Sequence, residues 1–429
     1  MPDDSLFMQA TPTTIDLHPY LGAWNTTPTH DALREQVRQF AESEIRPRID
    51  ELEQPGTVHR KLSRMIAEQG WIGVTIERRY GGLALGHLAK TIIIEELARV
   101  CGAMGAMVQA SQLGVAKIIH FGNETQKQRW LPEIAAGRCL PTIVVTEADA
   151  GSHVLGMTTS AYRDGDHYVL NGSKVFIGNS HVGDLHGVVA RTGEGSGGLT
   201  AFLVEADRKG LHLAPQQPTL GLHGFSFGEL VFDNCRIPVE NRLGQEGDGL
   251  AVAHSSSILY GRPNLAPVSL GIHTAIVEDT VRFANQHRRY GDRLSALPTV
   301  IQQIGHMQSN LMTARTVLYN AVSMLDQGRP CDHDLINAKL VNYETSLDTL
   351  RRAMDVHAAH GLMADRPLTR YLRDAWHIGP PGGTSDVQRI RLAERALGTN
   401  TNPPFSVTHR DHLMRSAEMV NEPIEPRTG

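Results

Sequence analysis

The residues able to do chemistry in this sequence cluster in glycine-rich stretches. Gly193-Glu194-Gly195-Ser196-Gly197-Gly198 has the GxGxxG spacing. That spacing holds a pyrophosphate only where a strand enters the turn and a helix leaves it. A β-prone run follows here, so the stretch reads as a hairpin loop. Gly224-Phe225-Ser226-Phe227-Gly228 has the spacing of a nucleophile elbow, which makes the same demand. A strand pattern follows again, and Ser226 reads as structural. His357 and His360 share a helix face but lack a nearby acidic or thiol ligand, so no metal site is expected. Asn171-Gly172-Ser173 fits a glycosylation sequon, which matters only in a secreted chain. Two stretches remain. In Val145-Thr146-Glu147-Ala148-Asp149-Ala150-Gly151-Ser152, two hydroxyls flank a glycine that permits close backbone approach. In Pro380-Pro381-Gly382-Gly383-Thr384-Ser385-Asp386, a loop starts rigid and has small walls.

The 429 residues, 41% hydrophobic, suffice for a large core and two or three lobes. The net charge of −5, with Lys and Arg scattered, implies no nucleic-acid partner. No apolar run approaches the roughly 20 residues of a membrane helix. The start is acidic and polar, without the charged and apolar regions of a signal peptide, so a cytoplasmic location is expected. Cys101, Cys139, Cys235 and Cys331 are far apart and read as reduced thiols.

These stretches must be positioned by elements that the hydrophobic period reveals. Residues 1–30 read as a leader and 31–140 as a helical domain. Leu33, Val37, Phe40, Ala41 and Ile45 share one helix face, which Pro47 ends or kinks. Further helices are expected at 57–69, 88–101, 103–122 and 124–136. Over 141–245 the period becomes strand-like, with turns at Asp164-Gly165-Asp166, Asn171-Gly172, Gly193–Gly198 and Asp233-Asn234. That reads as a small antiparallel barrel or sandwich. Over 246–398 long helices at 247–287, 297–328, 332–360 and 367–377 predict a four-helix bundle, with a last helix near 386–397. Residues 399–429 read as an irregular tail.

Arg373-Asp374 leading into Gly382-Gly383-Thr384 resembles the C-terminal signature of the acyl-CoA dehydrogenase superfamily. Val145–Ser152 resembles that family's flavin-side segment, and the helical, β, helical order over about 31–398 matches its α+β architecture. The resemblance implies FAD, with FMN or a weakly bound, externally reduced flavin as alternatives. It implies flavin contacts at Val145, Thr146, Gly151, Ser152, Phe176, Gly178 and Thr384. Phe176 stands for the family's tryptophan, and Gly178 stands where a hydroxyl residue usually contacts the flavin. Arg288 and Tyr290 would hold the adenylate half from a second subunit, which implies a homodimer or homotetramer. The matching Asp355–Gly361 segment has lost the family's glutamine and paired glycines. Arg262, Gly382 and Gly383 would border the substrate.

In that family a carboxylate removes the α-proton of an acyl thioester. Its position here is Gly382, and the alternative position before Arg262 is Gly261. Tyr260, His377 and Asp386 are the substitutes within reach. Three readings stand open. One is an oxidoreductase acting on an acyl thioester of coenzyme A or a carrier protein with a non-standard base. Another is a two-component monooxygenase served by a flavin reductase, acting on an amine, sulfur or aromatic group. The third is a non-redox scaffold of the same fold.

Overall fold

The computed structural model describes residues 26–400 and 403–409. Residues 1–25 of the expected leader and 401–402 and 410–429 of the expected tail lie outside the described residues. Helix α1 (Pro28–Phe40) begins at Pro28 rather than Asp31. The Thr27 N–H donates to the His30 ring at 3.1 Å, and proline at the first turn is pre-set for a helix. After a π-helical turn (Ala41–Ile45), Pro47 lies in a 3₁₀ turn before α2 (Ile49–Leu52), so the proline interrupts the helix as expected. Helices α3 (Arg60–Glu68), α4 (Gly86–Val100), α5 (Gly102–Phe121) and α6 (Glu124–Ala135) follow. Nearly all of α4 and α5 is buried, which makes them the central pair of this layer.

Strands β1 (Pro141–Val144), β2 (Ser160–Asp164), β3 (His167–Gly178), β4 (Leu185–Arg191), β5 (Leu199–Glu205), β6 (Leu211–Leu213), β7 (Phe227–Pro238) and β8 (Arg242–Leu243) form one sheet. Its order is β6-β7-β3-β2-β4-β5-β8, with β1 parallel to β4. Inside it pack Tyr168, Leu170, Val188, Phe202, Leu230, Phe232 and Ile237. Gly193–Gly198 joins β4 to β5, so it is a hairpin loop. Asn171-Gly172 and Asp233-Asn234 are not turns. They lie opposite each other within β3 and β7, where the register shifts and the Asn234 N–H donates to the Asn171 side chain at 2.8 Å. The left-handed backbones that suggested turns serve a paired bulge instead.

The expected helix 247–287 is α7 (Gly249–Ser256), a π-helical turn (Ser257–Gly261) and α8 (Arg262–Gln286). A hairpin of β9 (Arg288–Arg289) and β10 (Asp292–Arg293) follows. Then come α9 (Pro298–Asp326), α10 (Asp332–His357), α11 (Pro367–His377) and α12 (Ser385–Ala396). The expected irregular tail contains one helical turn, α13 (Phe405–Thr408). It forms because Asp332 accepts the Phe405 and Ser406 N–H groups at 2.7 and 2.9 Å.

A buried ion network ties α1, α4, α8 and α9 together. Arg34 and Arg38 donate to Glu96 at 2.5 and 3.0 Å, Arg315 and Tyr319 to Glu95 at 2.7 and 2.6 Å, and Arg99 to Glu278 at 3.0 Å.

Candidate active site

An aromatic platform forms where β3 and β7 face the helices. Phe176 has φ +58° and remains 63% exposed. Its ring stacks on Phe227 (centroids 5.8 Å apart, planes 22° apart), and Phe227 stacks on Phe225 at 6.1 Å. His377, at the end of α11, meets Phe227 edge-on at 5.0 Å. Asn179 fixes the end of β3. Its amide donates to the Met107 carbonyl at 2.8 Å and the Ser111 hydroxyl at 2.9 Å. A Cβ at Gly178 would come within 2.8 Å of Phe225 Cζ and 3.1 Å of Ala110 Cβ. Packing therefore leaves no room there for a hydroxyl side chain.

Beside the platform runs the loop from β1 to β2. The fully buried Lys174 donates to the Val145 carbonyl at 2.8 Å and pairs with Glu147 at 2.9 Å. Glu147 also accepts the Thr158 and Thr159 N–H groups at 2.7 and 2.9 Å. Burial raises this carboxyl, but those hydrogen bonds and the Lys174 ammonium outweigh it and hold it at about 2. The Thr146 carbonyl accepts the Val175 N–H at 2.9 Å, while Gly151 and Ser152 face solvent. Val145 and Thr146 are partly buried.

Gly382 and Gly383 have φ +69° and +95°, conformations that favour glycine. A Cβ on Gly382 would point at Leu265 Cδ1 (2.9 Å) and Arg262 Cγ (3.8 Å). The loop is pinned from behind. The Gln388 amide donates to the Gly382 and Gly383 carbonyls, both at 2.9 Å. The Lys339 ammonium donates to the Gly379 and Gly383 carbonyls at 2.6 and 2.7 Å. Burial and the Arg262 charge push Lys339 down to about 8. Arg262 opens α8 directly after the π-helical turn. Its buried Nε and Nη1 have no hydrogen-bond partner among the described residues. Thr384 caps α12 by accepting the Val387 N–H at 3.4 Å.

The three substitute bases are dispersed. Tyr260 is buried under the Lys90 ammonium (4.4 Å) and between the His87 and His120 rings, and burial pushes its hydroxyl up. The Asp386 side chain is 90% exposed and sits 3.5 Å from Arg389. His377 alone of the three contacts the platform, and burial pushes it down to about 4. Arg288 and Tyr290 lie on the exposed β9–β10 hairpin, beyond the far end of α8 from Arg262. His357 and His360 pack with Phe283 as a ring cluster, at 4.2 and 5.4 Å. Ser226 is buried, and its hydroxyl accepts the His181 N–H at 2.7 Å.

Sequence reasoning missed Lys174 and Lys339, whose partners are distant in the chain, and Gln388, whose partners lie six and five residues before it. It also missed the task of Asp374, which accepts the Leu222 N–H at 2.6 Å and so ties α11 to the loop before β7. A lysine inside an apolar strand run, at Lys174, was the one signal available.

Residues 27–138, 142–235 and 247–397 match the N-terminal, middle and C-terminal domains of acyl-CoA dehydrogenase. An acyl-CoA dehydrogenase of Bacillus subtilis (strain 168) is 31% identical over 369 residues, covering 85% of this chain and 97% of the relative. The structure of butyryl-CoA dehydrogenase from Megasphaera elsdenii superposes with a TM-score of 0.84 at 28% identity, over 87% of this chain and 99% of that one. An FAD complex of PigA superposes with a TM-score of 0.81 at 26% identity, over 87% and 98%. With all three domains matched in order and a relative aligned over most of both lengths, this chain belongs to the acyl-CoA dehydrogenase family.

Proposed function

We propose that the protein is an FAD-dependent oxidoreductase acting on an acyl thioester, with no side-chain base at the usual glutamate position. Phe176 carries this reading. A large ring held exposed, in a left-handed backbone and backed by Phe227, is a face for a flat apolar partner. The surroundings fit FAD, which the related PigA binds. Phe176 would face the ring system, with Val145 and Thr146 along its polar edge. Gly151 and Ser152, open to solvent, would lie along the phosphates, and Thr384 would border the ring from α12. Arg288 and Tyr290 sit past the C-terminus of α8. That 25-residue helix is about 37 Å long, so the copy that supplies Arg262 cannot also bring them to the same flavin. This supports a homodimer or homotetramer in which two copies share each cofactor.

When bound, FAD supplies a two-electron acceptor. The chain's own residues position and exclude. Lys174 and Glu147 fix the flavin-side loop, Lys339 and Gln388 fix the glycine loop, and Gly382 keeps a carboxylate away from the substrate. His377, against Phe227, is the one of the three substitute bases that touches the platform, but burial holds it at about 4 and makes it a weak proton acceptor. A second reading is an oxygenase served with reduced flavin. Gly178 favours it, since packing bars a hydroxyl from that position.

Flavin titration followed by fluorescence quenching, with oxidised and reduced FAD and FMN, separates the readings. Tight binding of oxidised FAD, bleached anaerobically by an acyl thioester, is the expected result. Binding of reduced flavin alone, with oxygen uptake, replaces it by the oxygenase. Indifference to every flavin leaves a non-redox scaffold.

A further inference from the structure

Arg262 is anomalous in charge. An arginine with buried nitrogens is ordinarily paired, because an uncompensated buried cation costs several kcal/mol by rough estimate. Its Nε and Nη1 are enclosed and without partners among the described residues, while the residue as a whole is only partly buried. The nearby groups do not serve it. The carbonyls of Gly382 and Gly383 are engaged from behind by Gln388 and Lys339. Asp332, whose charge favours the guanidinium, is committed to the Phe405 and Ser406 N–H groups. The Lys339 and Arg391 charges add to the positive field rather than balance it. Beside it stands Gly382, where a Cβ would lie 3.8 Å from Arg262 Cγ and 2.9 Å from Leu265 Cδ1.

We propose that Arg262 receives a carboxylate carried by the acyl group of the substrate, beside Gly382, with the Leu265 side chain giving way to admit it. The substrate class is thus an acyl thioester with its own acidic substituent, which rests on the thioester reading above. A planar guanidinium with two free N–H directions suits a carboxylate, and charge-assisted hydrogen bonds in a partly buried site discriminate well. A neutral acyl chain would leave Arg262 enclosed and unpaired.

The test is isothermal titration of the FAD-saturated full chain. Malonyl-, succinyl- and glutaryl-CoA are compared with the neutral chains of equal length, propionyl-, butyryl- and valeryl-CoA. At least one carboxylated thioester binds roughly ten- to a hundredfold tighter than its neutral counterpart. Arg262→Gln abolishes that difference and Arg262→Lys keeps part of it, since a cation remains. Equal affinities within every pair, or a preference that survives Arg262→Gln, overturn the assignment and leave the thioester reading standing. If no thioester binds, the thioester reading falls, and glutarate alone decides the anion site. Glutarate held by the wild type and lost in Arg262→Gln sustains the site; glutarate not held ends it.

Discussion

Two buried charge clusters in this molecule have opposite balance. Between α1, the π-helical turn after it, α4, α8 and α9, the arginines Arg34, Arg38, Arg99 and Arg315 meet the carboxylates Glu42, Glu95, Glu96 and Glu278 at hydrogen-bonding distance. Beside the glycine loop, Arg262 and Lys339 approach each other with carbonyl partners for the lysine alone. In the first cluster every arginine donates to at least one carboxylate within the fold, although Arg99 Nε and Arg315 Nε stay unbonded, and the cluster spans elements from both ends of the chain, so its work is architectural. In the second, no carboxylate bonds Arg262 among the described residues, and the proposed substrate carboxylate would complete it. Charge balance, more than burial, separates structure from function here.

The largest effect should come from unbalancing the first cluster. Glu96→Ala leaves Arg34 and Arg38 facing each other, at a cost of about 3–5 kcal/mol in urea unfolding. Arg262→Met removes a cation that nothing offsets, so the stability of the flavin-free protein should not fall. An equal loss in both variants would erase the distinction. Acid separates them as well. Burial raises Glu95 and Glu96, but the surrounding arginines outweigh it and hold both below the usual carboxylate range. Groups with depressed folded values stabilise fully above their unfolded values, and that stability is lost as pH falls through the folded ones. The urea midpoint should therefore drop steeply below about pH 4.5, and Glu96→Gln should flatten that drop.

Gly382→Glu probes the second cluster with an internal anion. Its left-handed backbone should cost about 1–2 kcal/mol, and Leu265 must give way. The new carboxylate would face Arg262 and complete the cluster. Neutral acyl thioesters should then reduce an artificial dye faster than in the wild type, while any preference for carboxylated chains disappears. Stable, flavin-bound Gly382→Glu protein with no gain would mean that the pocket is remodelled beyond its missing base.

Much of this contrast was invisible in the sequence. Local pattern revealed the helices, the hairpin at Gly193–Gly198 and the structural character of Ser226, because period and turn chemistry act over a few residues. The family was legible in Arg373-Asp374 and Val145–Ser152. Asn171-Gly172 and Asp233-Asn234 misled because left-handed residues serve bulges as well as turns, and only the pairing of β3 with β7 decides. The π-helical turn before Arg262 escaped because one inserted residue hardly disturbs an apolar period. Lys339 holds carbonyls of the glycine loop that only the fold brings within reach, while Gln388 reaches back from the first turn of α12 to the same loop, a contact with no simple spacing signature. That Arg262 lacks a partner is a statement about every element around it, which no local pattern contains.

Phe176 carries no charge and tests the platform separately. Phe176→Ala should weaken FAD roughly two- to tenfold in fluorescence titration, the scale of an aromatic stacking contact. The ring is 63% exposed, so the unfolding midpoint should hold. A lowered midpoint with unchanged FAD affinity would mark Phe176 as packing.

The smallest effect should come from Asp386, a third kind of charge. Its carboxylate is 90% exposed, 3.5 Å from Arg389, in the first turn of α12. Solvent screens such a pair, and the helix terminus adds a modest attraction. Asp386→Asn should therefore shift stability by no more than about 1 kcal/mol and leave both FAD affinity and thioester preference unchanged. A large loss of turnover in this variant would mean that α12 swings Asp386 over the substrate. The resting charge balance would then no longer identify the groups that act.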